Sequence, residues 1–371
     1  MMLVAMETAA NFNAVQTVDV KFEDVVNEWL TRISKEKDGK NARAPKTISV
    51  YRYALLSVFK PWLDLRDITV PTRQDLIEWR AIMVAIAKAG YWSNATVNSY
   101  LASVRSLYRW LADTKGFENI AKGLESMPIS QEHKRGVLDL PEMRTLLKSV
   151  DTANLRGNSK KNAKPAEKPK KVSKHADKMI ALRRLRDKAI LAVMMCGGLR
   201  TVEVSRLRIS DFQMTCGVGM LNVLGKGRSD REGVKISRQA AQSVAEWKKA
   251  LEEITVVTDS DALFCSLSNR SFGDALTSAV ISKLCKFYLE TAGLKNKSVS
   301  DETGDSKVEV KPVTAHSLRA SLATQSYLGG ASLAQVKQQL RHRNLKTTLI
   351  YIDEANKLNN PCTDIISDAI F

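Results

Sequence analysis

Histidine and cysteine are both scarce in this chain of 371 residues, with four of the first and five of the second. Cys196, Cys216, Cys265, Cys285 and Cys362 are scattered, with no C-x-x-C pair among them. That spacing argues against a zinc site or a disulfide framework and for reduced thiols in a cytoplasmic protein. Long apolar runs are missing too. The longest, Ala189–Leu199, is bounded by Lys188 and Arg200 and is too short to cross a bilayer, so no membrane partner is expected. The opening MMLVAMETAA is apolar but lacks a basic n-region and a cleavage-like context, which argues against a signal peptide. Two signatures of phosphate chemistry are also absent, a Walker-type glycine loop and a cluster of carboxylates suited to two metal ions.

Negative charge is in short supply as well. Fifty-seven Lys and Arg against 40 Asp and Glu leave a formal charge of +17, with a pI near 9.6. An anionic polymer is the natural partner, nucleic acid first and an acidic membrane second. The length allows two domains, each with its own core.

Residues 1–19 are weakly patterned and read as a flexible lead-in. From 20 to 115 the pattern is helical. Phe22, Val25, Val26, Trp29, Leu30 and Ile33 fall at steps of three and four. Ile48, Tyr51, Leu55, Val58, Phe59 and Trp62 repeat the pattern, and Thr72 with Asp75 forms a helix-start arrangement for a segment running to about Ala89. Val97, Tyr100, Leu101, Val104, Leu107, Tyr108 and Leu111 complete a fourth helix. Four such helices make a compact bundle, whose Arg52, Arg105 and Arg109 are expected to be exposed and either meet phosphates or are simply solvated. Residues 116–138 lose periodicity and hold Gly116, Gly123, Pro128 and Gly136. They read as an interdomain linker, with Lys134 and Arg135 placed to help two domains encircle a duplex.

Residues 139–371 form the second domain. A helix begins near Asp139–Pro141. The Lys-rich stretch 156–174 cannot bury a core and reads as a mobile basic insertion that follows a DNA backbone or merely solubilises the chain. Helix resumes near Lys178 and runs through Met195. A short helix after Arg200 then gives way to β structure at Met220–Leu224 and Val234–Ile236, joined by a Gly-Lys-Gly turn. Helices over Gln239–Ile254 and Thr277–Ala292 follow. The polar stretch 295–311 has no functional reading.

The most informative stretch is 314–351. His316 and Arg319, three apart, share a helix face. Gly329-Gly330 separates that helix from a second, after which come His342 and Tyr351. Two imidazoles and arginine near a phenol suit attack on a phosphodiester, with tyrosine as nucleophile and the cations holding charge on the phosphoryl oxygens.

H-x-x-R, then L-x-H, then tyrosine nine residues later resembles the tyrosine recombinase (phage integrase) family. GGLRTVEVSRL at 197–207 resembles that family's first arginine motif, and LNVLGKGRSDREGVKI at 221–236 its lysine-bearing β-hairpin. The resemblance implies a mainly α fold with a small β-sheet. It pairs an N-terminal helical core-binding domain with a mixed α/β catalytic domain. It also implies roles. Tyr351 is the nucleophile, and Arg200 and Arg319 grip the non-bridging oxygens. His316 is the base and His342 a second donor to the phosphate. Lys226 is the acid for the leaving 5′ oxygen, with Arg228 beside it as a DNA contact, and Glu203 orients the site. No ATP, metal or other cofactor is implied.

The implied partners are double-stranded DNA recombination sites and a homotetramer assembled on them, with accessory DNA-bending proteins as further candidates. The apolar tail at 361–371 would dock in trans, and the location would be cytoplasmic and nucleoid-associated. One departure is visible. Where the family commonly reads Leu-Gly-His, this chain has Leu340-Arg341-His342, which alters a turn or adds a DNA contact. Integration or excision of a mobile element is the expected task. Xer-like dimer resolution, a catalytically inactive DNA binder and a type IB topoisomerase are the alternatives.

Overall fold

The structure, a computed structural model, describes residues 21–35, 42–129, 135–155, 174–225, 230–299 and 309–358. The lead-in 1–19, Lys134, Lys226, Arg228, the tail 361–371 and nearly all of the basic insertion lie outside them. The chain divides into two compact units, Met1–Ser130 and Gln131–Phe371.

The first unit is built from α1 (Phe22–Lys35), α2 (Pro45–Arg52), α3 (Lys60–Leu65), α4 (Arg73–Lys88) and α5 (Asn94–Lys115), with a π-helical stretch, Tyr53–Phe59, between α2 and α3. Their apolar stripes meet in one core, where Trp29, Phe59, Trp79, Leu101 and Leu107 are fully buried. Proline opens α2, where its missing N–H is no loss. Thr72 and Asp75 start α4 with reciprocal bonds, Thr72 N to Asp75 Oδ2 at 2.6 Å and Asp75 N to Thr72 Oγ1 at 3.3 Å.

Two expectations are corrected here. Arg105 is half-buried, and it donates to the Leu124 carbonyl at 2.8 Å and the Ser126 hydroxyl at 3.0 Å, so it serves the fold rather than the surface. Arg52 and Arg109 are exposed, although Arg52 donates to Asn27 Oδ1 at 2.7 Å. The stretch 116–129 is not a loose connector. Ile120, Ala121 and Leu124 are buried in the bundle core. Asn98 exchanges two hydrogen bonds with the Met127 backbone, and Asn94 and Arg80 donate to the carbonyls of Pro128 and Glu125. Side chains of α4 and α5 satisfy backbone that has no helix of its own.

The second unit is mainly α around a small sheet. α6 (Leu140–Thr152) starts at Asp139, capped reciprocally by Glu142. α7 (Lys174–Gly197) carries the longest apolar run, and Ala189–Met195 are all buried, as befits a stretch of helix apolar on every side. After α8 (Thr201–Val204) come β1 (Phe212–Thr215), β2 (Val218–Leu224) and β3 (Arg231–Ile236), an antiparallel sheet in that order. β2 pairs with β3 in a register that sets Leu224 opposite Arg231. Alternate residues Leu221 and Val223 face the core. α9 (Arg238–Glu252) and α10 (Ser278–Thr291) complete the scaffold. The polar stretch 295–311 contributes to a second antiparallel pair, β4 (Asn296–Val299) with β5 (Glu309–Pro312). α11 (Ala315–Leu328), α12 (Leu333–Leu340) and α13 (Leu345–Leu358) end the unit. Both α11 and α12 pack against α13.

Candidate active site

His316 and Arg319 stand on adjacent turns of α11, and Tyr351 is carried by α13. The Tyr351 hydroxyl lies 2.7 Å from His316 Nε2. Tyr351 is 6% exposed, and its ring sits 5.7 Å from the His342 ring, centroid to centroid. Thr324 Oγ1 donates to the Tyr351 carbonyl at 2.7 Å, which ties α13 to α11 at the residue that matters. His342 is held by Nδ1 against Thr348 Oγ1, 2.9 Å away.

Arg319 is 1% exposed. Its two terminal nitrogens donate to the carbonyls of Gly198 and Leu340. Gly198 is the position where a side chain cannot fit. It has φ +64°, and a Cβ there would lie 2.7 Å from Leu340 and 2.8 Å from Leu322. The glycine lets the chain before Arg200 close onto α11 and α12.

Glu203 gathers the cations. Arg200 donates to it through its backbone N–H (2.8 Å, to Oε2) and its guanidinium (2.7 Å, to Oε1). Arg341 donates to Oε2 at 2.7 Å, and Arg319 stands 4.0 Å from the same oxygen. Burial alone would push this carboxyl up. Arg341, the Arg200 backbone, and the Arg200 and Arg319 guanidiniums together hold it below the usual range instead.

The electrostatics sort the groups by task. Burial pushes the Tyr351 phenol up, opposed by Arg319, Arg200 and Arg135, so at neutral pH it is protonated and needs a base. Burial, then Arg319, Arg200, Arg341 and His316, hold His342 down to about 3, so its imidazole is neutral. His342 Nε2, Arg319 Nε and Arg341 Nε are buried without a hydrogen-bond partner among the described residues. Interior polar groups rarely stay so, and three such groups in one site suit the binding of an anion.

Arg200, Glu203, His316, Arg319, His342 and Tyr351 are thus gathered. Exposed Arg135, from the expected linker, acts on the Tyr351 phenol. Lys226 and Arg228 belong to the segment between β2 and β3, outside the described residues. Sequence reasoning missed Arg341 as a site group, Thr348 as the His342 partner and Thr324 as the α13 anchor. An arginine placed directly before the second histidine was the available signal for the first, whereas nothing marks one threonine above another.

A tyrosine hydroxyl on an imidazole, beside guanidiniums able to bind phosphoryl oxygens, can carry out nucleophilic attack at phosphorus. The Phage integrase family matches residues 168–357, and the family's N-terminal SAM-like domain matches residues 26–115. The chain belongs to the phage integrase family, the tyrosine recombinases. It is 27% identical to tyrosine recombinase XerD of Lacticaseibacillus casei, over 81% of this chain and 86% of that one. With tyrosine recombinase XerC of Chlorobaculum parvum it shares 26%, over 87% and 89%. Its fold resembles the XerH recombinase bound to palindromic difH substrate (TM-score 0.60, 22% identity, 95% of this chain and 92% of that one). It also resembles a lambda integrase dimer bound to a COC′ core site (TM-score 0.55, 12% identity, 90% and 77%).

Proposed function

We propose that the protein is a site-specific DNA recombinase that cuts and rejoins strands through a 3′-phosphotyrosyl intermediate. The observation that carries this reading is the 2.7 Å contact between the Tyr351 hydroxyl and His316 Nε2 in a pocket of guanidiniums. His316 Nε2, in the tautomer that leaves it a lone pair, accepts the phenol proton as the oxygen attacks phosphorus. A tyrosyl O–P bond forms, the P–O5′ bond breaks, and the 5′ oxygen leaves with a proton from an acid, which the family resemblance assigns to Lys226. Arg200, Arg319 and neutral His342 hold the phosphorane oxygens, whose charge exceeds that of the ground state. A 5′ hydroxyl from a partner strand then attacks the phosphotyrosine and regenerates the phenol. One phosphoester replaces another at each step, so no external energy source enters.

The substrate is double-stranded DNA with paired sites, and the working assembly is a homotetramer with the tail 361–371 docked in trans. A lambda integrase tetramer bound to a Holliday junction supports that assembly by analogy of fold. The task is integration or excision of a mobile element. A second reading, Xer-like dimer resolution, is favoured by the similarity to XerD and XerC over most of both chains. The nucleoid is the site of action on either reading.

The test uses DNA flanking the gene, quenched with SDS after incubation with wild type or Tyr351→Phe. Wild type should give a covalent protein–DNA adduct and Tyr351→Phe none, with duplex binding kept. Specific binding with no adduct from wild type would overturn the reading in favour of an inactive DNA binder. Deletion rather than insertion between two such sites on a plasmid would favour dimer resolution or excision over integration.

A further inference from the structure

Arg341 ends α12 at φ 56°, ψ 41°, in the left-handed region where a β-carbon meets the following carbonyl. Glycine would make this turn without strain. The turn itself is a helix end, with the Arg341 N–H donating to the Gln338 and Lys337 carbonyls, and it needs nothing from the side chain. Yet the side chain is 4% exposed and runs back into the site. One terminal nitrogen donates to Glu203 Oε2 at 2.7 Å, and the other to the Gln339 carbonyl at 3.0 Å. Strain of this kind persists where the surroundings use it.

The use lies in how Glu203 is shared. Its Oε1 is taken by the Arg200 guanidinium and its Oε2 by the Arg200 N–H and Arg341. Arg319 is left 4.0 Å from Oε2 and held instead by two neutral carbonyls. Three guanidiniums against one carboxylate give this cluster a net charge of +2. With glycine at 341 it would be +1, and Oε2 would be open to Arg319.

We propose that Arg341 is a positioning residue for strand cleavage: by occupying Glu203 Oε2 it keeps Arg319 out of hydrogen-bond reach of that carboxylate, so the Arg319 guanidinium is left for the scissile phosphate. The proposal deepens the reading of Tyr351 as nucleophile and rests on it. It also predicts an exchange of stability for activity, because both the strained turn and the third buried cation disfavour the free fold.

Arg341→Gly in the full chain tests it. Its Tm should rise by about 2 °C, while the rate of covalent adduct formation at saturating DNA falls by about tenfold and duplex affinity changes less than about twofold. Arg341→Asn, neutral and tolerant of left-handed φ, should follow Arg341→Gly in both. Arg341→Lys keeps charge in the strained turn, and should cleave within about threefold of wild type without the gain in Tm. A fall in Tm for Arg341→Gly would make Arg341 a structural strut and overturn the proposal. So would cleavage by Arg341→Gly at the wild-type rate, or by Arg341→Lys at the Arg341→Gly rate. These outcomes leave the nucleophile reading standing. Wild type that forms no adduct on specifically bound DNA overturns that reading, and this proposal with it.

Discussion

The two units make their interiors from opposite materials. Five of the six tryptophans, Trp29, Trp62, Trp79, Trp92 and Trp110, lie in the first unit. Its buried rings interlock, Phe59 meeting Trp79 edge-on at 4.9 Å and Trp29 stacking on Tyr51 at 5.4 Å. Ser103 is its one buried polar residue among those described, against twelve in the second unit, Glu203, Arg319, Arg341, His342 and Thr348 among them. The bundle is held by area removed from water, which is non-directional and tolerant of small changes. The second interior is held by hydrogen bonds to charges, where loss of the shared Glu203 carboxylate leaves buried cations. Among the described residues the bundle does leave the indole N–H groups of Trp62, Trp79 and Trp110 unpartnered. They are neutral, and they sit on three different helices. The unpartnered nitrogens of Arg319, Arg341 and His342 belong to one site. A bundle built this way is suited to presenting a surface, and a site built the other way to binding an anion.

That contrast is sharpest in two large deletions. Trp79→Ala should cost about 4 kcal/mol, a transfer-plus-cavity loss. Glu203→Ala should cost a similar amount, on the order of 3–5 kcal/mol, because three guanidiniums lose their shared carboxylate. Urea denaturation would give both values, and added inorganic phosphate would tell them apart. It should restore much of the Glu203→Ala loss, by replacing one anion with another, and leave Trp79→Ala where it was. Equal responses to phosphate would break the comparison.

Acid should separate the units next. His342 titrates near 6.5 when unfolded and is held down to about 3 by burial and its cationic neighbours. As pH falls through 6.5 the unfolded chain takes up a proton that the folded one refuses, so stability is present above that pH and is lost below it. The Glu203 carboxyl, held below its ordinary value, adds a loss of the same sign at lower pH. Between about pH 7 and pH 5 the His342 contribution is roughly 2 kcal/mol. His342→Gln should be flatter than wild type by that amount in the same range. A matching slope in both proteins would place the acid sensitivity elsewhere.

The same division explains what could be read from the sequence. The bundle helices are legible because a 3.6-residue apolar period is the cause of their packing as well as its sign. The site residues are legible because a few rare types, two of only four histidines among them, fall at one motif's spacing. What escaped is held by contacts that leave no periodic trace. Residues 116–129 look like linker because they are fastened by Asn94, Asn98 and Arg105 from α5 and by Arg80 from α4. β1 is a four-residue edge strand with no buried residue to alternate, and β4 and β5 lie in a polar stretch. From the sequence Arg341 reads as a local change of turn or an added DNA contact. Its role depends on Glu203, 138 positions earlier, and only the folded chain brings the two together.

The smallest effect belongs to the least conspicuous site residue. Thr348 is fully buried and meets His342 Nδ1 at 2.9 Å. If its hydroxyl donates there, Nδ1 is the acceptor and Nε2 carries the proton, which is the tautomer that can donate to a phosphoryl oxygen. Thr348→Val keeps the branched shape and removes only that bond. Stability should fall by about 1 kcal/mol, small beside the tryptophan and glutamate deletions. Adduct formation should fall by about tenfold, because the imidazole is then free to adopt the other tautomer, with the donor turned away. An equally shape-preserving change in the bundle, such as Leu107→Met (cost under about 1.5 kcal/mol), should leave cleavage untouched. If Thr348→Val cleaves as fast as wild type, His342 does not act through Nε2–H, and its place in the mechanism must be redrawn around Tyr351 and His316 alone.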